Sequence, residues 1–153
     1  MKFLELKIPP AVVFTLFAGA MWALTSRYPA ADLPVPWRLP LATLLSATGF
    51  LAGVAGVLTF LRARTTVHPG RPEHASALVT AGIYRFTRNP MYLGLLLMLA
   101  GWALALANGL AMVLLPAFVA YMNRFQIQPE EDALLKKFGP EFKTYAGSVR
   151  RWL

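Results

Sequence analysis

Cysteine is absent from the 153-residue chain, which excludes disulfides, thiolate nucleophiles and thiolate metal centres. Acidic residues are scarce: seven Asp and Glu stand against fifteen Lys and Arg, for a net charge of +8. Histidine occurs only as His68 and His74, six apart in a Pro-rich loop, so no metal site is expected. No Gly-rich phosphate loop follows a strand-like segment, which excludes a Rossmann-type cofactor site. Nor does any basic stripe interleave with stacking aromatics on a soluble face, so the positive charge does not predict a nucleic acid partner. The predicted counter-charge is the anionic headgroups of membrane lipids.

What the chain does have is apolar length. It is 57% hydrophobic and 14% charged, far from an average soluble composition. Three uncharged stretches carry the excess, at residues 8–26, 39–61 and 91–123. A helix crosses the hydrocarbon core with roughly 20 apolar residues, so the first two read as spans. The third would run about 50 Å as one helix. Asn108-Gly109 divides it into a hairpin of two spans, 91–107 and 109–123. Charge supports the division. Four spans with a cytoplasmic N-terminus place 13 of the 15 Lys and Arg inside, leaving Arg27 and Arg38 outside. Three spans would split them 7 against 8. Basic residues concentrate on the cytoplasmic side, so four spans are predicted. The long first run, with three more spans after it, also argues against a cleaved signal peptide. The expected fold is therefore all-α: one polytopic membrane domain over residues 1–153, with a cytoplasmic loop at 62–90 and a cytoplasmic tail at 124–153.

Local signals refine this picture. Gly49-x-x-x-Gly53 followed by Gly56 predicts close helix packing on the second span. Leu78-Val79-Thr80 reads as a short strand-like or helical piece, and Gly82 as a turn. Pro90 disfavours helix at Asn89 and leaves backbone groups there free to bind. Gln128-Pro129-Glu130-Glu131-Asp132 reads as a helix start with acids at the positive dipole end. Gly139 ends that helix, and Pro140 opens a second short amphipathic one with Phe142 and Tyr145 inward. Both would lie on the membrane and cover the loop.

Since loop and tail share one side, Glu130 and Glu131 can meet Tyr84, Arg88, Asn89 and Tyr92. The plainer readings are helix capping for the two acids, a surface pair with Lys136 for Asp132, a topology anchor for Arg88 and an interfacial aromatic for Tyr92. As chemistry, a carboxylate substrate would need a positioning arginine, with Arg124 and Arg151 available. An amine substrate would need a base, such as a glutamate or Tyr92. Candidate catalytic residues are thus Arg88, Tyr92, Arg124 and Glu131.

Two ordered motifs over residues 62–153 go further. Leu78-Val79-Thr80-x-Gly82-Ile83-Tyr84 leads into Arg88-Asn89-Pro90-Met91-Tyr92-x-Gly94. The tail then has Arg124, Glu130-Glu131-x-x-Leu134, Phe138-Gly139-x-Glu141-Phe142, Tyr145 and Val149-x-Arg151. Together they resemble the integral membrane methyltransferases of the isoprenylcysteine carboxyl methyltransferase and phospholipid methyltransferase group, in its prokaryotic form. The resemblance implies S-adenosylmethionine held on the cytosolic side. It also implies a cofactor site lined by His74, Leu78, Val79, Gly82, Tyr84, Asn89, Pro90, Tyr92 and Glu130 or Glu131. The spacing of His74 to Leu78 departs from the His-x-Leu pattern of many members. Asn89 stands where eukaryotic prenylcysteine enzymes usually have His, which weighs against a prenylated protein as substrate.

The function expected is S-adenosylmethionine-dependent methylation of a lipid-like substrate at the cytoplasmic face of a bacterial or archaeal inner membrane. Carboxyl O-methylation of an isoprenylcysteine-like acceptor stands first and N-methylation of phosphatidylethanolamine second. A non-catalytic membrane protein that binds lipid or a partner is the third reading; a transporter is disfavoured by the lack of mid-span charge.

Overall fold

The computed structural model describes residues 5–29, 36–63 and 77–153, and every regular element within them is helical. Six α-helices follow in order: α1 (Pro10–Arg27), α2 (Arg38–Arg62), α3 (Pro90–Leu106), α4 (Gly109–Met122), α5 (Gln128–Phe138) and α6 (Pro140–Ser148). A 3₁₀ turn (Gly82–Arg85) precedes α3, and a π-helical turn (Asn123–Ile127) joins α4 to α5. Two helices are long and apolar enough to cross a membrane, Arg38–Arg62 and the continuous Gly109–Phe138; Pro90–Leu106 is a shorter apolar helix. On α2 the large side chains Leu44, Phe50 and Leu51 are exposed, as suits a surface facing lipid rather than water.

Packing centres on α3. Its most extensive neighbour is α2, and the contact is backbone on backbone. A Cβ built on Gly49 would lie 2.5 Å from the Gly94 carbonyl oxygen, and one on Gly101 would lie 2.6 Å from the Ala42 carbonyl oxygen. Gly56 meets Pro90 and Met91 in the same seam. Only small residues permit such approach between helices in lipid. On its other side α3 meets α1 and α4. Leu99, Phe118, Met122 and Ile127 fill that core, with Phe17 edge-on to Phe118 at 5.4 Å between centroids.

The hairpin between α3 and α4 turns at Ala107-Asn108, one residue ahead of the Asn108-Gly109 break marked in the sequence. Ala107 adopts a left-handed conformation (φ 48°), and Asn108 caps α4 by accepting the Leu110 amide at 3.0 Å. Helix α3 begins at Pro90, one residue ahead of the expected boundary, because proline suits a first helical turn whose amide is unused anyway.

Two local expectations are corrected. Leu78-Val79-Thr80 is irregular, neither strand nor helix, with Val79 buried. Helix α5 begins at Gln128 as expected, but not at a free end, since the chain passes helically from α4 through the π turn into it. Pro129 has no amide to donate back along the helix; the Phe125 carbonyl that a helical amide there would engage instead accepts the Leu6 amide at 3.0 Å. The acids after Pro129 therefore do not cap a free helix end. Beyond them Gly139 (φ 52°) ends α5 and Pro140 opens α6, with Phe142 buried and Leu135 exposed.

Candidate active site

At one end of the bundle, α2 stops, α3 starts and α4 passes into α5, so three segments distant in sequence converge there. The 3₁₀ turn docks on α2: Gly82 (φ 60°) lets the chain turn close to Thr59, and the Tyr84 ring stands edge-on to Phe60 at 5.2 Å. Tyr84 is buried there, and its carbonyl accepts the Tyr145 hydroxyl at 2.7 Å.

The segment from Thr87 to Asn89 is strapped by the C-terminus. The Arg88 amide donates to the Arg150 carbonyl at 3.0 Å, and the Asn89 side-chain amide donates to the Arg151 carbonyl at 2.9 Å. Buried Thr87 accepts the Asn89 amide and donates to the Arg151 carbonyl. Trp152 closes the strap by donating to Asn123 on the π turn at 3.0 Å.

Glu130 and Glu131 stand side by side here in different company. Glu131 accepts from Arg88 at 2.9 Å and from Arg151 at 2.5 Å, and Arg88 also donates to the Ala146 carbonyl at 2.5 Å. Glu130 accepts a short hydrogen bond from the Tyr92 hydroxyl, and among the described residues no cation pairs with it. Burial pushes the Glu130 carboxyl up to about 8; the Tyr92 hydrogen bond opposes that rise and the Glu131 charge adds to it. Burial above all, with smaller contributions from Tyr145 and Glu130, also holds the Tyr84 phenol well above its ordinary value, so it stays protonated. Its buried hydroxyl has no partner, and neither has Arg88 Nε. The acid without a counter-ion suits a cationic group, and the two orphaned donors suit acceptor atoms of the same ligand.

The structure thus gathers Tyr84, Arg88, Asn89, Tyr92, Glu130 and Glu131 at one end of the bundle, with Arg88, Glu131 and Asn89 joined through Arg151, Tyr92 bonded to Glu130, and Pro90 buried at the edge. Val79 and Gly82 belong to the adjoining turn, and Leu78 is half-buried beside Val79. Arg124 lies outside it. Its guanidinium pairs with Glu5 at 2.8 Å and sits over the Phe125 ring, half exposed. His74 lies outside the described residues. Sequence reasoning overlooked Thr87, although it stands inside the motif, and did not foresee that Arg151 is spent on Glu131.

A helical chain with membrane-length apolar segments and its polar groups gathered at one end is a distinct class of protein. Residues 37–141 match the model of the phospholipid methyltransferase family, and the chain belongs to that family. It is 31% identical over 116 residues to protein-S-isoprenylcysteine O-methyltransferase A of Arabidopsis thaliana, which covers 74% of this chain and 57% of that protein. A probable protein-S-isoprenylcysteine O-methyltransferase of Oryza sativa subsp. indica is 36% identical over 100 residues, 63% of this chain and 51% of the relative. An uncharacterized protein of Haemophilus influenzae is 49% identical over 63 residues, 41% of this chain and its own full length. The chain thus spans about half the length of the plant relatives. No solved structure matches it significantly.

Proposed function

We propose that this chain is an integral membrane methyltransferase, a single domain of four spans with both termini cytoplasmic, that methylates a lipid-like substrate with S-adenosylmethionine. The observation that carries it is the network around Glu130. A part-buried acid without a cation, two tyrosine hydroxyls and a strapped Arg-Asn-Pro turn meet where three helices end. Family membership and the names of the plant relatives support the same reading.

The residues fit the methyl donor, which supplies an electrophilic methyl group on a sulfonium and carries an ammonium and a carboxylate. Glu130 is the acid suited to the ammonium, because Glu131 is already held by two arginines. Tyr92 holds Glu130 in place, the unpartnered Tyr84 hydroxyl is left for the ligand, and Val79, Gly82 and Pro90 form the close walls. Arg88, pinned by Glu131 and the Ala146 carbonyl, fixes the turn that carries Asn89. Methyl transfer is an in-line displacement, so alignment and exclusion of water are what such a scaffold contributes.

A carboxylate oxygen, as in an isoprenylcysteine-like lipid, is the first acceptor, supported by the relatives' names. One observation favours an amine lipid as the second. Arg124 and Arg151, the arginines available for a substrate carboxylate, are paired with Glu5 and Glu131, which leaves neither of them open to a carboxylate acceptor. Detergent-solubilised protein given radiolabelled methyl donor and a total lipid extract tests the proposal. Label released as methanol by base identifies an ester, and base-stable label on phosphatidylethanolamine identifies the amine. No labelled lipid, and no binding of S-adenosylhomocysteine, would leave a non-catalytic lipid-binding protein. Reporter fusions after Leu153 and in the 30–36 loop test the topology; an external tail would refute it.

A further inference from the structure

Neighbouring acids in one site differ here in the charge they face. Glu131 is sandwiched between Arg88 and Arg151 and is a structural carboxylate. Glu130 faces Tyr92 from α3 and Tyr84 from the 3₁₀ turn, with the like charge of Glu131 on its own helix. Among the described residues nothing positive compensates it. Ligand-free, the least costly state of Glu130 is the neutral acid, and its burial favours that state up to a pH of about 8.

We propose that Glu130 is a proton-linked receptor for an ammonium group, releasing one proton to solvent as the methyl donor or its demethylated product binds. This rests on the cofactor reading above. The carboxyl O–H bond breaks, its electron pair stays on the carboxylate, and the proton passes to buffer. The new carboxylate pairs with the ligand's ammonium and keeps the Tyr92 hydrogen bond, while the orphaned Tyr84 hydroxyl gains an acceptor. Before binding, the pocket is neutral and the ligand group carries one positive charge; afterwards the pair is neutral and one proton is free. Because the bound state needs the carboxylate and the free state holds the acid, affinity rises about tenfold per pH unit below the free-state pKa. Recognition through Glu131 would show no such linkage, since two arginines already hold that carboxylate before any ligand arrives.

S-adenosylhomocysteine is the probe, because it keeps the ammonium and has no methyl group to transfer. Calorimetry of the solubilised full chain at pH 7, in buffers of low and high ionisation enthalpy, counts the protons. The expected result is release of about one proton, with Kd falling about tenfold from pH 6 to 7. Glu130→Gln should abolish both the proton release and the pH slope. Tyr92→Phe removes the hydrogen bond that favours the carboxylate, so it should keep the release but move the slope to higher pH. Buffer-independent heats with a flat Kd in the parent protein would overturn the proposal while leaving the cofactor reading intact. No binding at any pH would overturn both.

Discussion

Replacing Gly94 with alanine tests whether the α2–α3 seam sets the site. A Cβ there would lie 2.5 Å from the Gly49 carbonyl oxygen, 3.0 Å from the Gly53 amide nitrogen and 3.2 Å from the Gly53 Cα. All three are backbone atoms of α2, so no side chain can swing aside. Relief requires α3 to retreat by on the order of 1 Å, and overpacking of this kind costs about 1–3 kcal/mol. Tyr92 sits two residues before Gly94 and retreats with it. Glu130, on α5, does not. A misplacement of about 1 Å can cost about 100-fold in rate, so Gly94→Ala should lose more activity than its stability loss explains. Gly53→Ala is the internal control: it lies in the same seam, yet a Cβ there meets nothing within 4 Å. Thermal unfolding in detergent and methyl-transfer rates would be read for both variants. A Gly94→Ala protein matching the parent in both, or a Gly53→Ala protein as impaired, would refute the reasoning.

Glu131→Gln leaves two guanidinium groups facing a neutral amide, and with the pair partly exposed the loss should be about 2 kcal/mol, seen as a lower Tm. Arg88→Lys keeps the charge but loses the fork that spans Glu131 and the Ala146 carbonyl, so turnover should fall at least tenfold while membrane insertion is unchanged; full turnover would return Arg88 to a topology anchor. Asn89→Leu removes the donor to the Arg151 carbonyl and should cost about 1 kcal/mol, with Asn89→His milder because it retains a donor. For Glu130 the folded pKa of about 8 exceeds the ordinary 4.5, so the folded state holds the proton more tightly. That advantage is complete below the lower value and is lost as pH climbs toward the upper one. Glu130→Gln should therefore stabilise the ligand-free protein at pH 8 by on the order of 2 kcal/mol, read by thermal unfolding, and do little at pH 4.

Uncharged runs and dipeptide breaks made most of the helices legible. The bounds of α3 and α4 to within a residue, a break at Asn108, the Gly139 stop and inward Phe142 follow from apolar length and the residues that interrupt it. Gly49 and Gly56 could be read as packing residues, but their counterparts Gly94 and Gly101 could not. Gly94 showed itself only inside a motif, and no pattern on α3 alone says which helix it will face. Within the site, residue types were readable but pairings were not. Which of two adjacent glutamates stays free depends on where Arg151 arrives, a residue 20 positions away whose carbonyl and guanidinium both reach back to the site. Arg124 shows the converse: its place in a motif suggested a role at the site, and the Glu5 carboxylate holds it elsewhere.

The helical continuity before Gln128 bears most directly on how the site is built. Along the continuous helix toward the site, the buried positions are Phe118, Met122, Gln126 and Ile127, followed by half-buried Glu130 and Glu131. The spacing of five between Met122 and Ile127 is the π turn. An unbroken α-helix from Met122 would centre its inward stripe on positions 126, 129 and 133, with 130 at its edge and 131 off it. One extra residue in the turn rotates everything after it by on the order of 100°. Pro129 makes the irregular turn cheap, because it has no amide to leave unsatisfied, and Leu6 takes up the freed Phe125 carbonyl. Gln126, buried on the same turn, donates to the Ile8 carbonyl at 2.8 Å and ties the N-terminal segment to it. The phase change just before them moves Glu130 from the edge of that stripe to its centre and brings Glu131 onto it, where they meet Tyr92 and Arg88. An amide-less residue at 129 is as much a part of the site as the acids it turns inward.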